Sequence, residues 1–132
     1  MTNDGLAMDA WFSVAYAPAA VYLQDSDCVE YVAEDTTCVY HRIDEALTLI
    51  YDETGFGLVG FKLKGFRNFF ESVKDDIGLS EGHFVNLCRV LERVCLERGE
   101  RDIGDARRMN AYRAAEKIAT RDKVQIDYRM AA

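Results

Sequence analysis

The amino-acid sequence predicts an α+β domain in which an antiparallel sheet of about four strands is packed on one face by two or three helices. Residues 28 to 65 form short runs rich in β-branched and aromatic residues, with turns between them. From residue 66 onward the apolar residues recur at helical spacing instead. With 132 residues, 49% hydrophobic, and one proline, the chain is long and apolar enough for one domain with a buried core.

This single domain spans residues 1–132, β-rich over 10–65 and helical over 66–120. The start has two interpretations, because Trp11, Phe12 and Tyr16 belong to patterns that fit a helix face or a strand equally well, and Pro18 interrupts both. The end also has two interpretations. Residues 123–129 alternate apolar and polar, which is typical of an edge strand, and a frayed extension is the alternative.

Two hairpins are predicted in the β-rich part. The first pairs residues 28–33 with 37–43 across a polar turn, and the second pairs 46–51 with 58–64 across a loop that contains Gly55 and Gly57. Along the last strand Val59, Phe61 and Leu63 fall on one face, opposite Gly60, Lys62 and Lys64. This alternation predicts a half-buried sheet with one face on the core and the other in water.

Three helices are predicted after Gly65, which ends the sheet. The first covers 66–77 and stops at Gly78, and the second covers 81–98, with Ser80 as its cap. Residues 103–119 carry a weaker pattern based on alanine, so we expect a peripheral helix there.

The charge is unevenly distributed. Residues 1 to 60 contain eleven acidic residues and one basic residue, Arg42, for a net charge of −10, within a total of −7. Because binding to phosphate backbones or anionic lipid needs a clustered basic surface, we expect no nucleic-acid partner and no membrane association. The apolar stretch 10–23 is too short to cross a bilayer and lacks the basic start of a signal peptide, so we expect a cytoplasmic protein.

No motif predicts a catalytic, cofactor or metal site. Cys88 and Cys95 lie seven residues apart on one helix, which places them along the core stripe and beyond disulfide reach. Cys38 and His41 have the spacing of a partial zinc site, but residues three apart on a strand point to opposite faces. The acidic pairs lie at strand ends and turns, where Asp is favoured for local hydrogen bonding.

The segment 27–70 contains three recognisable sequence features. It reads DCVEYVAEDTTCVYHRIDEALTLIYDETGFGLVGFKLKGFRNFF, with a D-x-x-L-T-h-h-x-D pattern, a glycine turn and a V-G-h-x-h strand. These features resemble a family of short bacterial proteins of unknown function, although Lys62 stands where that family often has an acidic residue. The resemblance covers about a third of the chain and implies an antiparallel β-meander followed by a helix, without implying a mechanism.

The function predicted from these observations is that of a non-enzymatic protein–protein interaction module that self-associates through a sheet edge or through the apolar segment 11–23. One alternative is an acidic inhibitor or nucleic-acid mimic of the kind found in phage and mobile elements. The other is a small-ligand-binding protein or enzyme with a pocket between sheet and helices. The candidate interaction residues are Trp11, Phe12, Tyr16, Asp44, Lys62, Lys64 and Arg67.

Overall fold

The computed structural model describes residues 18–77, 84–101 and 106–127 and confirms the α+β class. The main sheet has five strands rather than the predicted four. They are β1 (Val21–Leu23), β2 (Cys28–Val32), β3 (Val39–Arg42), β4 (Leu47–Tyr51) and β5 (Leu58–Lys64). All neighbouring pairs are antiparallel, and the spatial order is β1-β2-β5-β4-β3.

Three helices and a second small sheet complete the described part of the chain. The helices are α1 (Phe66–Ile77), α2 (Leu87–Arg101) and α3 (Ala106–Arg121). Strand β6 (Phe84–Asn86) pairs with β7 (Gln125–Asp127) as a separate two-stranded sheet. Residues Gln24–Ser26 form a 3₁₀ turn between β1 and β2.

The core lies between one face of the main sheet and the helices. Strands β2, β4 and β5 bring apolar side chains into register on this face, where Val29 and Leu47 both pair with Leu63. The helices contribute Phe66, Leu91 and Tyr112, all fully buried. The predicted alternation in β5 is confirmed for Phe61 and Leu63, which are buried in this core. Val59 is buried outside this cluster, because the register shifts there and makes it the additional residue of a bulge.

The predicted pairing of 28–33 with 37–43 is wrong. Strand β2 pairs with β1 on one side and β5 on the other, and the Ala33 N–H extends the pairing with β5 by donating to the Val59 carbonyl. Both edges of β2 are therefore occupied, and the chain crosses the end of the sheet to place β3 beside β4. Strands β2 to β5 thus form a Greek key, whereas the second predicted hairpin, β4 with β5, is confirmed.

Glycine is required at two positions of the sheet. Gly65 has a φ of +77° and separates β5 from α1, as the sequence predicts. Gly60 is buried at the bulge of β5, where a Cβ atom would collide with the main-chain carbonyl of Tyr31 on β2. A side chain at Gly60 would therefore push β2 and β5 apart.

The second and third helices differ from their predictions. Helix α2 begins at Leu87 rather than at residue 81, because Phe84–Asn86 pairs with β7 as a strand. The Asn86 side chain accepts the Cys88 N–H at 2.9 Å and caps the helix. Helix α3 is not peripheral, since it buries a stripe of small residues and Tyr112 against the sheet and α2. The predicted C-terminal strand exists as β7, but it pairs with β6 rather than with the main sheet.

Helix α3 ends in a Schellman motif with a lysine where glycine is usual. The Val124 N–H donates to the Ala119 carbonyl and the Lys123 N–H to the Thr120 carbonyl, and Lys123 has a φ of +50°. We expect Lys123→Gly to raise the free energy of unfolding by about 1 kcal/mol, because only glycine adopts this conformation without steric cost. Urea denaturation measures the change.

The matched control is Lys123→Ala, which removes the charge and keeps the Cβ atom. Its stability should lie within about 0.5 kcal/mol of the unchanged protein. If the alanine variant gains as much stability as the glycine variant, the charge and not the backbone conformation limits stability at this position.

Candidate functional site

The face of the main sheet opposite the helices carries polar and basic side chains, and we call it the open face. Its strand register places Arg42, Thr48 and Lys62 in one row across β3, β4 and β5. The row continues to Glu30 on β2, and Lys64 lies in the next row, opposite Cys28. Period-two alternation sends the apolar neighbours of these residues into the core, so the cations are brought together by the same pattern that builds the core.

A hydrogen bond spans the open face from one side to the other. The Tyr40 hydroxyl on β3 donates to Glu30 Oε1 on β2 at 2.6 Å. Strands β2 and β3 are separated by β5 and β4, which corresponds to about 14 Å in a flat sheet. The Tyr40 side chain therefore lies across the sheet, and the bond holds β2 and β3 toward each other over the open face.

A cavity of about 390 Å³ occupies this concave face. Its lining residues come from four strands and the two adjoining turns: Ser26, Cys28, Tyr40, Arg42, Asp44, Glu45, Ala46, Thr48, Lys62 and Lys64. Arg42 and Lys64 are exposed and Lys62 is half-buried, so three cationic groups border one depression in a chain of net charge −7. Glu45 is the exposed carboxylate among the lining residues, and Asp44 is buried.

Arg42 is positioned by the main chain. Its Nε atom donates to the Asp44 carbonyl oxygen at 3.2 Å, which orients the guanidinium at the rim of the cavity. A second depression of about 390 Å³ shares Arg42 and Lys64 with the first and continues toward Asn68 and Phe69 of α1. The basic region is therefore an elongated, shallow surface rather than an enclosed pocket.

Asp44 joins the turn between β3 and β4 to helix α3. Its side chain is 1% exposed, and Oδ1 accepts the N–H groups of Ala46 at 2.8 Å and Leu47 at 2.7 Å. From α3, Tyr112 donates its hydroxyl to Oδ2 at 2.9 Å, and the Nε atom of Arg108 lies 3.4 Å from the same oxygen. Asp44 therefore has a structural role at the base of the cavity, with its carboxylate turned toward the protein interior.

The predicted interaction residues separate into three groups. Lys62, Lys64 and Asp44 line the cavity, but the Asp44 carboxylate is buried and faces the protein interior. Arg67 is exposed near the start of α1 and does not line the cavity, and its N–H donates to Asp27 Oδ1 at 2.9 Å. The three aromatic residues Trp11, Phe12 and Tyr16 lie outside the described residues.

Sequence reasoning missed Arg42 and Tyr40 as members of this site. The signal that could have found Arg42 is its isolation, since it is the one basic residue among the first sixty. To place Arg42 in the same row as Lys62, one must also know that β4 lies between β3 and β5. The predicted pairing of β3 with β2 concealed that relationship.

Most of the described acidic residues of the first half lie at the two ends of the sheet, whereas Glu30 lies between them on β2. Asp27 accepts hydrogen bonds from the Tyr22 hydroxyl and the Arg67 N–H at one end. At the other end Asp52 accepts the N–H of Thr54 at 3.0 Å within the β4–β5 loop, and its hydrogen bonds to Thr54 hold the pKa of this carboxyl below its usual value. This placement does not favour one continuous stripe of carboxylates.

The four cysteines and His41 are further described groups with possible catalytic or metal-binding chemistry. All four cysteines are free thiols, and burial raises the pKa of Cys38, Cys88 and Cys95. The His41 ring packs edge-on against Tyr51 with centroids 5.6 Å apart. Within the described ranges no group of three or more His, Cys, Asp or Glu side chains could hold a metal ion, and no described helix is long and apolar enough to cross a membrane.

No known family model, no curated protein and no solved structure matches this chain. The resemblance of residues 27–70 to short bacterial proteins therefore stays a prediction, and the site must be interpreted from its own geometry.

We expect Asp44→Ala to lower the free energy of unfolding by about 3–5 kcal/mol, because it removes the acceptor of two main-chain N–H groups and leaves Arg108 without its carboxylate. Urea denaturation measures the loss. The matched control is Glu53→Ala, an exposed carboxylate of the β4–β5 loop expected to change stability by less than about 0.5 kcal/mol. Equal effects of the two substitutions would contradict a structural role for Asp44.

The bond from Tyr40 to Glu30 predicts a pH dependence. This hydrogen bond, helped by burial, raises the pKa of Tyr40 to about 12, above the value of about 10 for an unperturbed tyrosine. The pKa of Tyr40 is higher in the folded protein than in the unfolded protein. The bond therefore stabilises the fold fully below about pH 10, and this stabilisation is lost as the pH rises toward 12. Tyr40→Phe should therefore be less stable than the unchanged protein near neutral pH, with the difference shrinking above pH 10.

The measurement is urea denaturation of both proteins across this alkaline range. In the control Glu30→Gln, which keeps an acceptor and removes the charge, the pKa of the Tyr40 phenol should fall back toward about 10. A constant stability difference at every pH would show that the phenol is not held by Glu30.

Proposed function

We propose that this protein is a non-enzymatic binding module that takes an acidic segment of a protein partner on the open face of its main sheet. The observation that carries the proposal is the convergence of Arg42, Lys62 and Lys64 from two strands on one concave surface. Charged groups at a shallow surface guide association and specify the partner through electrostatic complementarity.

A peptide segment suits this surface better than a small metabolite. Metabolite sites enclose most of their ligand and place buried polar groups around it. Here the cavity is continuous with a second depression, and Arg42 and Lys64 are exposed. Exposed apolar side chains also lie on the open face, namely Val21 and Leu23 on β1 and Tyr40 on β3. The matching ligand is a segment that combines carboxylates with apolar side chains.

The nucleic-acid mimic is not favoured, because most carboxylates of residues 25 to 53 are divided between the two ends of the sheet, Asp44 is buried, and Glu30 on β2 accepts the Tyr40 hydroxyl. In the proposed complex, the cations of this chain therefore bind carboxylates of the partner.

The proposal is tested with a short synthetic peptide in which glutamate alternates with phenylalanine. Titration into isotope-labelled protein should shift the amide resonances of β3, β4 and β5, and the affinity should fall as salt rises from about 0.15 M to about 1 M. Lys64→Glu should weaken binding about tenfold, equivalent to about 1.4 kcal/mol.

The matched control variant is Lys117→Glu, which reverses an exposed charge on α3, the helix on the other side of the sheet. It should leave the affinity unchanged. A control peptide with glutamine in place of glutamate should bind at least tenfold more weakly. Equal affinity for the two peptides, or resonance shifts confined to the helices, would overturn the proposal.

A further inference from the structure

The loop between β4 and β5 presents a phenylalanine to solvent. Phe56 is 91% exposed, far more than the other large hydrophobic residues in the described part of the chain. It lies at the tip of the loop, where neither the sheet nor a helix covers its ring. Almost the whole ring is therefore available for contact with a partner, and aromatic side chains contribute strongly to binding when an interface buries them.

The loop is held in one shape by its own hydrogen bonds. The Asp52 N–H donates to the Gly57 carbonyl at 2.8 Å, the Gly55 N–H to the Asp52 carbonyl at 2.9 Å, and the Phe56 N–H to Thr54 Oγ1 at 3.2 Å. Ordering a loop before binding removes an entropy cost that a flexible loop must overcome. Phe56 is therefore a preorganised anchor.

Acidic residues lie at the same end of the sheet as Phe56. Glu53 is exposed within the same loop, and Glu34 and Asp35 are exposed in the connection from β2 to β3, which leaves the sheet at the same end because Val32 pairs with Gly60 at the start of β5. This end of the molecule therefore combines an aromatic side chain with carboxylates.

The chemistry of this end is complementary to the cavity on the open face. Carboxylates pair with Arg42, Lys62 and Lys64, and a phenyl ring is attracted to a guanidinium or ammonium group placed over its face. Within one chain the two features cannot meet, because the rigid strand β5 runs for seven residues between the loop and Lys64, a span of about 20 Å.

We propose that the partner taken by the open face is a second copy of this chain, whose Phe56 loop docks in the cavity. Two copies placed open face to open face, with their strands antiparallel, bring each loop over the other's cavity. A twofold axis closes this arrangement, so it yields a dimer with two identical contacts rather than a fibre. The dimer also covers Val21, Leu23 and Tyr40, which are exposed on the open face. The inference rests on the proposed function, since it names the partner for that surface.

The first test is sedimentation velocity on the full chain over a concentration series that reaches the high micromolar range. We expect a dimer that weakens at high salt. Phe56→Ser should raise the dimer dissociation constant at least tenfold, as truncation of a buried anchor does. The matched control Leu96→Ser removes an exposed hydrophobic residue on α2 and should leave the constant unchanged.

The second test mixes two variants that are each impaired. Phe56→Ser retains an intact cavity and Lys64→Glu retains an intact loop, so one of the two contacts can form between them. We expect the mixture to associate more strongly than either variant alone. A monomer at every concentration, or a mixture no stronger than its components, would overturn the inference.

A failure of the dimer inference can be distinguished from a failure of the proposed function. The acidic peptide is titrated into monomeric Phe56→Ser, which keeps the cavity. If the peptide binds while the unchanged chain remains a monomer, the dimer inference fails and the proposed binding of acidic segments at the open face is supported. If the peptide does not bind at the open face, both the proposed function and the inference fail.

Discussion

The contact on which the site depends is the buried carboxylate of Asp44. One side chain satisfies two main-chain N–H groups in the β3–β4 turn and receives the Tyr112 hydroxyl and the Arg108 guanidinium from α3. Because a buried carboxylate is stable only with such partners, the turn and the helix are positioned together. The adjacent Arg42 then donates to the Asp44 carbonyl oxygen, so the same turn that fixes the helix also orients a cation of the open face.

The two faces of the sheet follow from this arrangement. Helix α3 packs against β4 and β5 and covers their apolar side chains, whereas the alternate residues of the same strands are left to the open face. Lys62 and Lys64 on β5 are two of them, and Arg42 on the neighbouring strand β3 lies on the same face. The bond from Tyr40 to Glu30 spans this face. Period-two alternation thus divides neighbouring residues of a strand between the core and the open face.

Local patterns predicted the parts of the fold that depend on local contacts. The β4–β5 hairpin and helix α1 each bring together residues close in sequence, and alternation placed Lys62 and Lys64 on the correct face. The partner of β2 was not predictable in this way, because β2 could pair with any free edge and the choice depends on the whole sheet. Tyr112 was also missed, since its hydroxyl bonds Asp44, 68 positions earlier, and its neighbours are alanines that give a weak helical pattern.

The central claim is that this sheet binds an acidic, aromatic loop from a second copy of the chain. Its most direct test is an isotope-filtered nuclear Overhauser experiment on a mixture of labelled and unlabelled protein, which detects only contacts between copies. We expect intermolecular signals between the Phe56 ring of one copy and the Lys64 side chain of the other. Intermolecular signals confined to the free edge of β3, with none from Phe56, would contradict this claim and would indicate that copies associate by extending their sheets.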